Sequence, residues 1–283
     1  RSLLGDLGRS DKAHLRSQSG PGSGAVFPIA PTCAEFRREP QHCRVLLLRR
    51  MRLNLPPTSR CCRCGLLLDP KGVHRSACAR AGVLARRAFP LESATVRVCR
   101  EAGARVRTDV MVRDLDLGPA LPADARRIEV VANGLPLFGG AQLAVDSTQV
   151  CALKRDGTAR PRAHWQDGAA LLDARTRKER TYPELARLGS RARLLVLALE
   201  TGGRWSEEAW HFVRLLSRSR ARSEPVILRQ AAEMAWRRRW VAMLSVAAAR
   251  AYAASLLELD AERGADGATP STAAVLEDAR YAA

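Results

Sequence analysis

The sequence predicts an α/β protein whose main domain follows the order αβββαβ, with a small metal-binding segment before it and helices after it. Two observations predict this class. Three strand-like runs lie between residues 105 and 150, and a helical segment at 169–181 separates them from a buried strand-like run at 191–199. The chain has 283 residues, of which 46% are hydrophobic, so it can bury a core and allows one or two domains.

The composition is strongly basic, with a formal charge of +18 at pH 7 that comes mostly from arginine. Arginine suits a phosphate-rich partner because its planar guanidinium matches phosphate geometry, although a general use of arginine in place of surface lysine would give the same composition. No apolar run reaches about 18 residues, so no membrane span is expected. The chain begins at Arg1 without a charged-then-apolar leader, and we expect a fragment of a longer protein that is not secreted.

Residues 1–55 are predicted to be a linker and a basic helix that arrive from an upstream domain. Residues 17–24 read Ser-Gln-Ser-Gly-Pro-Gly-Ser-Gly, which has no periodicity and little apolar surface. Residues 43–53 have the spacing of an amphipathic helix with arginines along one side, ended by Pro56 and Pro57. Those arginines fit either a solvated surface or phosphate contacts.

Residues 56–85 are predicted to form a CCHC-type zinc knuckle. Read from Cys61, the spacing is C-x2-C-x9-H-x3-C, and read from Cys62 it is C-x-C-x9-H-x3-C, with Cys64, His74 and Cys78 common to both. Either set supplies three thiolates and one imidazole, which is the donor set of a closed, structural zinc site. The spacing does not decide between Cys61 and Cys62. Clustered cysteines without an export signal favour a metal site over disulfides.

Residues 86–260 are predicted to form the α/β domain. Its elements are, in order, a helix at 91–102 that Gly103 ends, strands at 105–112, 127–132 and 141–150, a helix at 169–181, and a strand at 191–199. A further helix begins at Ser206, and a long alanine-rich helix starts after Pro225 and runs to about Leu259. Residues 261–283 are predicted to be a disordered tail.

Two neighbouring strands carry one carboxylate each. Glu129 lies in the second strand and Asp146 in the third, and the following helix carries Lys178. Two acids on adjacent strands with a nearby lysine are the minimum set for metal-dependent phosphodiester hydrolysis, in which the acids hold Mg²⁺ and the lysine orients water or offsets phosphate charge. The element order is that of the restriction-endonuclease-like, PD-(D/E)XK fold, although Thr148 stands where that motif usually has its lysine.

Five short motifs follow one another between residues 60 and 260. They are Cys-x-Cys-Gly, Asp-x2-Gly-x-His-x3-Cys, Arg-Arg-Ile-Glu-Val-Val, Ala-Val-Asp-Ser-Thr and Arg-Lys-Glu-Arg-Thr-Tyr. In this order they resemble the C-terminal region of non-LTR retrotransposon polyproteins, where a zinc knuckle follows the reverse transcriptase and precedes a restriction-like endonuclease. The resemblance implies a nuclear endonuclease that nicks target DNA with Mg²⁺, carries structural Zn²⁺, and acts with an upstream reverse transcriptase domain and element RNA.

The resemblance also implies roles for individual residues. Glu129 and Asp146 would hold Mg²⁺, with Glu129 where the family has aspartate and Ile128 where it has proline. Lys178 fits a catalytic lysine that has moved from the third strand to the following helix, and Tyr182, one turn later, would support the attacking water. The residues implied in nucleic-acid contact are Arg126, Arg127 and Arg175.

Two other functions remain compatible with the sequence. The chain can be a catalytically decayed copy that binds nucleic acid through its zinc segment and arginines, or a zinc-stabilised module whose basic surface binds RNA or protein. A nuclease requires Glu129, Asp146 and Lys178 to converge, whereas a binding module requires only the positive surface. Trp236 and Trp240 are expected in the core and not on a base-stacking surface.

Overall fold

The computed structural model describes residues 5–56, 60–117, 124–187, 191–258 and 269–280. Across these ranges the chain forms a four-stranded mixed sheet, eight α-helices and short 3-10 turns. The strands are β1 (Arg105–Met111), β2 (Arg127–Asn133), β3 (Gln142–Val150) and β4 (Ala192–Glu200). The helices are α1 (Arg9–Ser17), α2 (Pro40–Arg50), α3 (Val73–Ala77), α4 (Val83–Glu101), α5 (Ala169–Thr181), α6 (Glu207–Ala221), α7 (Arg229–Leu257) and α8 (Thr272–Arg280).

The sheet has the strand order β1-β2-β3-β4. The first two pairs are antiparallel, while β3 and β4 are parallel because α5 crosses between them. The α/β prediction is confirmed, and each strand lies within one residue of its predicted bounds. The strands were accurately located because their apolar and β-branched residues mark a sheet with buried faces.

Different helices cover the two faces of the sheet. Helices α4 and α6 cover one face, where Val130 and Leu143 are buried, and α7 packs against both of these helices. Helix α5 covers the other face, where Ala144 and Val196 are buried. Burial on both sides explains why β4 is continuously apolar from Leu194 to Leu199.

The 29-residue helix α7 lies in the centre of the core. Trp236 and Trp240 are fully buried, which confirms their expected core role. The stretch Val226–Leu257 has the length and hydropathy of a membrane-crossing helix, but 72% of its most apolar window is buried inside the protein. That apolar surface packs against α2, α3, α4, α6 and α8.

Helix α4 begins earlier than predicted. It starts at Val83, not at Leu91, and Pro90 lies inside it. A proline removes one helical hydrogen bond but is tolerated when other contacts hold the turns before it. Arg87 supplies such a contact, since its buried guanidinium donates to the carbonyl of Ser76 at 2.8 Å.

The segment predicted as linker and basic helix is packed, in its described part, against the rest of the fold. The carbonyl of Ser17, at the end of α1, accepts a hydrogen bond from the N–H of Arg204 at 3.1 Å. In α2, Arg49 is buried and donates to the hydroxyl of Tyr252 on α7 at 2.9 Å. The arginines of α2 therefore do not all lie on a solvated face, and residues 5–55 are not a free linker.

The predicted disordered tail also needs correction. Residues Thr272–Arg280 form α8, which packs on α7 and buries Val275. The hydroxyl of Thr272 donates to Glu224 at 2.6 Å. Apolar burial at one helical face offsets the entropy of ordering this segment. Residues 261–268 and 281–283 of the predicted tail lie outside the described residues.

Glu101, the last residue of α4, joins that helix to α7. Its carboxylate is 1% exposed and accepts hydrogen bonds from Arg239 at 2.8 and 3.0 Å and from the indole N–H of Trp240 at 2.9 Å. Arg97 approaches the same carboxylate at 3.1 Å. The buried negative charge is thus fully paired, and removing it would leave the guanidinium of Arg239 buried without its partner.

We expect Glu101→Ala to lower the free energy of unfolding by about 3–5 kcal/mol, the usual cost of breaking a buried ion pair. Glu233→Ala is the matched control, because Glu233 lies on α7 in an exposed ion pair with Arg218. The control should cost less than about 1 kcal/mol. Urea unfolding followed by circular dichroism measures both, and equal effects would contradict the assigned importance of the Glu101 cluster.

Candidate active site and metal centre

The sheet opens between β2 and β3. The two strands pair from Ala132–Leu143 to Val130–Val145, and no pairing continues to Glu129 and Asp146. At this point the side chain of Glu129 bridges the strands, because its Oε2 accepts a hydrogen bond from the backbone N–H of Ser147 at 2.8 Å. The carboxylate of Glu129 therefore lies beside Asp146, where backbone hydrogen bonds between the two strands would otherwise continue.

Asp146 meets Lys178 across this opening. The Nζ of Lys178 on α5 lies 2.6 Å from the Oδ2 of Asp146, whose side chain is 1% exposed. The other oxygen, Oδ1, has no hydrogen-bond partner among the described residues although it is buried. The structure thus brings together Glu129, Asp146 and Lys178, the three residues on which the sequence interpretation depends.

Burial raises the pKa of both carboxyl groups. Burial, followed by the charges of Asp146 and Glu92, raises the pKa of Glu129 to about 8. Burial also raises the pKa of Asp146, and the adjacent ammonium of Lys178 partly opposes that shift. A cluster of acids with one lysine favours proton uptake unless further positive charge is supplied.

Sequence reasoning missed Glu92 as a member of this acidic group. Glu92 lies on α4 three residues before Thr95, whose hydroxyl is 3.2 Å from that of Ser147 on β3. Positions three apart share one face of a helix, so both residues are directed towards the sheet. The sequence does show a carboxylate next to the buried face of α4. It does not show which strand that face of the helix packs against.

Tyr182 is placed differently from the sequence expectation. Helix α5 ends at Thr181, and Tyr182 is its C-cap with φ of −127°. Its hydroxyl donates to the backbone carbonyl of Arg127 at 2.8 Å, so it joins the end of α5 to β2. Burial, with the charges of Asp146 and Glu129, raises the pKa of Tyr182 to about 12, which keeps the hydroxyl protonated as a donor.

The three arginines predicted to contact nucleic acid all have partners within the chain. Arg126 pairs with Asp124 at 2.6 Å and Glu184 at 2.5 Å. Arg127 pairs with Asp109 at 2.5 Å. Arg175 lies 3.3 Å from both Glu179 and Glu208. The pairs of Arg126 with Glu184 and of Arg175 with Glu208 join residues that are distant in the chain, so the sequence pattern did not reveal them.

A second site is formed by Cys62, Cys64, His74 and Cys78. Their ligating atoms all lie within 4.8 Å of one another. The cluster could hold a metal ion, and three thiols with one imidazole are consistent with zinc. Cys61 is exposed and outside the group, so the structure selects Cys62 from the two adjacent candidates.

The neighbouring backbone orients these ligands. The Nδ1 of His74 is 3.1 Å from the carbonyl of Arg155, leaving Nε2 directed at Cys64, 3.2 Å away. The carboxylate of Asp69 accepts from the N–H groups of Val73 and His74, and so fixes the start of α3. A hydrogen bond on the remote ring nitrogen sets the tautomer of a ligating histidine.

Comparisons with protein-family models, with curated proteins and with solved structures each found no match.

We expect purified wild-type protein and Cys61→Ser to retain bound zinc, and Cys62→Ser to lose it. Cys61 and Cys62 are adjacent, but only Cys62 belongs to the ligand cluster. Elemental analysis of dialysed protein measures the metal content. Zinc loss in Cys61→Ser with retention in Cys62→Ser would show that the other cysteine is the ligand.

We expect Glu129→Gln to stabilise the protein when no divalent cation is added to the acidic site. Folding raises the pKa of Glu129 from 4.5 to about 8. The ionised carboxylate of Glu129 therefore destabilises the folded state increasingly as pH rises through that interval, and by a constant amount at higher pH. The gain at pH 8 should be on the order of 2 kcal/mol, from about 1.4 kcal/mol per pKa unit with allowance for partial solvent screening.

Thermal unfolding of zinc-loaded protein at pH 5 and pH 8 measures this effect. The exposed Glu277 provides the control variant Glu277→Gln, which should not change the unfolding temperature at either pH. A Glu129→Gln variant that is less stable than wild type at pH 8 would contradict the electrostatic description of the site.

Proposed function

We propose that this protein is a metal-dependent endodeoxyribonuclease with a restriction-endonuclease-like core. The observation that carries the proposal is the convergence of Glu129 and Asp146 at the opening between β2 and β3, with Lys178 bonded to Asp146 at 2.6 Å. The αβββαβ order and the parallel β3–β4 pair support this core. We further propose kinship with non-LTR retrotransposon polyproteins, on the motifs described above.

The acidic residues fit a divalent cation such as Mg²⁺. Asp146 offers a buried, unpartnered Oδ1, and Glu129 has one oxygen occupied by Ser147 and a second beside it. Hard cations of this kind prefer carboxylate oxygens. When bound, such a cation would acidify a water molecule and offset the charge of a scissile phosphate.

Lys178, Tyr182 and the zinc segment would each have a different role in the proposed reaction. Lys178 neutralises Asp146 in the absence of substrate and, on α5, presents an ammonium that can orient water or contact phosphate oxygen. Tyr182 is a positioning residue, since its hydroxyl holds the end of α5 against β2. The zinc segment would have a structural role and not a catalytic one, because four protein groups would fill the tetrahedral ligand positions of the ion.

We expect wild-type protein to nick supercoiled plasmid in Mg²⁺, and Asp146→Asn to reduce nicking to background. Replacing the buried carboxylate by a neutral amide would remove the negative charge that attracts a divalent cation and pairs with Lys178. Lys178→Ala should lower the rate by about 100-fold, the typical effect of a positioned proton-transfer or charged group. Asp114→Asn, at an exposed site, is the control and should nick at the wild-type rate.

Agarose gel electrophoresis follows the conversion of supercoiled to nicked plasmid, with zinc content matched among the variants. Nicking that persists in Asp146→Asn would refute the assigned site. Plasmid binding without nicking in the wild type would instead support the alternative of a nucleic-acid-binding module whose catalysis has been lost.

A further inference from the structure

A polar groove lies beside the proposed active site and has no role in the description above. It measures about 790 Å³ and is formed where β3 and β4 begin, together with the 3-10 turn before β3 and the segment after α5. Four arginines line it, from positions 175, 187, 191 and 193, whereas Asp116 is the one acidic residue among the described residues that line it. Such a concentration of guanidinium groups in a concave surface attracts polyanions.

Two of the groove arginines, Arg191 and Arg193, are exposed, whereas Arg175 is ion-paired with glutamates of the chain. Arg191 is 82% exposed and lies 3.8 Å from Asp116, an exposed ion pair of the kind that contributes little to stability. The Nη1 of Arg175 is buried but has no hydrogen-bond partner among the described residues. A phosphate that binds Arg191 would therefore replace only a weak ion pair.

The guanidinium of Arg193 is oriented by stacking on an aromatic ring. Its guanidinium lies over the ring of Phe138, 4.3 Å from the centroid. Stacking restricts the orientation of the planar fork while leaving its N–H edges available for hydrogen bonds. The turn that follows Phe138 consists of Gly139 and Gly140, and a side chain there would meet open space, so this wall of the groove is unobstructed.

The groove adjoins the acidic cluster along two elements. On α5, Arg175 precedes Lys178 by three residues, so the two side chains are neighbours on the helix surface. On β3, Gln142 lines the groove four residues before Asp146, a distance of about 13 Å along the strand. That distance corresponds to about four nucleotides at a rise of ~3.4 Å each.

We propose that this groove binds the sugar-phosphate backbone of a nucleic-acid strand a few nucleotides from the phosphate that is cleaved at Asp146. The inference rests on the proposed function, which supplies the cleavage position. It adds the surface on which the strand lies and assigns Arg191 and Arg193 as phosphate ligands. Phosphate contacts of this kind position a substrate without selecting its sequence.

Fluorescence anisotropy with labelled 20-nucleotide single-stranded and duplex DNA tests the groove. The measurement uses zinc-loaded protein carrying Asp146→Asn, so that the probe stays intact, with and without Arg191→Ala and Arg193→Ala together. Losing two phosphate contacts should weaken binding at least tenfold at low salt. It should also reduce the slope of log affinity against log salt concentration by about 1.4 for single strands or about 1.8 for duplex.

The matched control replaces Arg218 and Arg222 by alanine. Both are exposed, and Arg218 is in an exposed ion pair with Glu233 much as Arg191 is with Asp116, but neither lines the groove. We expect this control to change affinity by less than about threefold and to leave the salt slope unchanged, because no phosphate contact is removed. Equal losses in the two double variants would overturn the proposal, since net charge alone would then explain binding.

Plasmid nicking by the chain with Asp146 intact separates this inference from the proposed function. If the Arg191→Ala, Arg193→Ala double variant binds both probes and nicks as wild type does, the groove assignment is wrong and the nuclease proposal stands. If wild-type protein never nicks but its DNA binding depends on Arg191 and Arg193, the nuclease proposal and the cleavage position are wrong, and the groove is a nucleic-acid-binding surface.

Discussion

The opening between β2 and β3 depends on one interaction, the hydrogen bond from the backbone of Ser147 to the carboxylate of Glu129. Two antiparallel strands that separate would normally leave buried backbone groups without partners, at a cost of about 1–3 kcal/mol each. Here a side chain satisfies the backbone in place of the neighbouring strand. The same bond holds an acidic group at the gap, so the local loss of sheet pairing and the concentration of negative charge have a single origin.

That acidic gap is compatible with a stable fold because its surroundings are strongly tied together. Lys178 provides the local positive charge, Tyr182 fixes the end of α5 to β2, and Glu101 fixes α4 to α7 behind the sheet. The pKa values of Glu129 and Asp146 show that the carboxylates remain unfavourably placed when no other cation is present. An electrostatically unfavourable cluster within a fold that is otherwise well packed is typical of functional sites.

The sequence predicted the parts of the fold that depend on local periodicity and on ligand spacing. The four strands and α5 were located from their own residues, and Cys64, His74 and Cys78 were recognised from their separation. The choice of Cys62 over Cys61 needed the turn in which Cys62 donates to Leu66 and faces Cys78. A separation in sequence does not specify the direction of a side chain.

Other features depend on contacts between residues that are distant in sequence. Arg126 meets Glu184, 58 residues away, and Tyr182 reaches the carbonyl of Arg127 across 55 residues. The presence of arginine or tyrosine in a sequence motif does not show whether its side chain bonds within the protein or contacts a ligand. Helix α1 and helix α8 were missed for a related reason, since each is short and becomes stable only through packing on the rest of the chain.

The position of α7 has a consequence for how a chain of this kind can change during evolution. Tyr252 on α7 contacts Arg49 of α2 and Ser76 of α3, while Trp236 and Trp240 of the same helix lie in the core beneath the sheet. The segment with the candidate metal site and the α/β core thus both pack against α7. Recombination at their boundary near residue 85 would separate partners that are more than 150 positions apart, so the two units are inherited most readily as a pair.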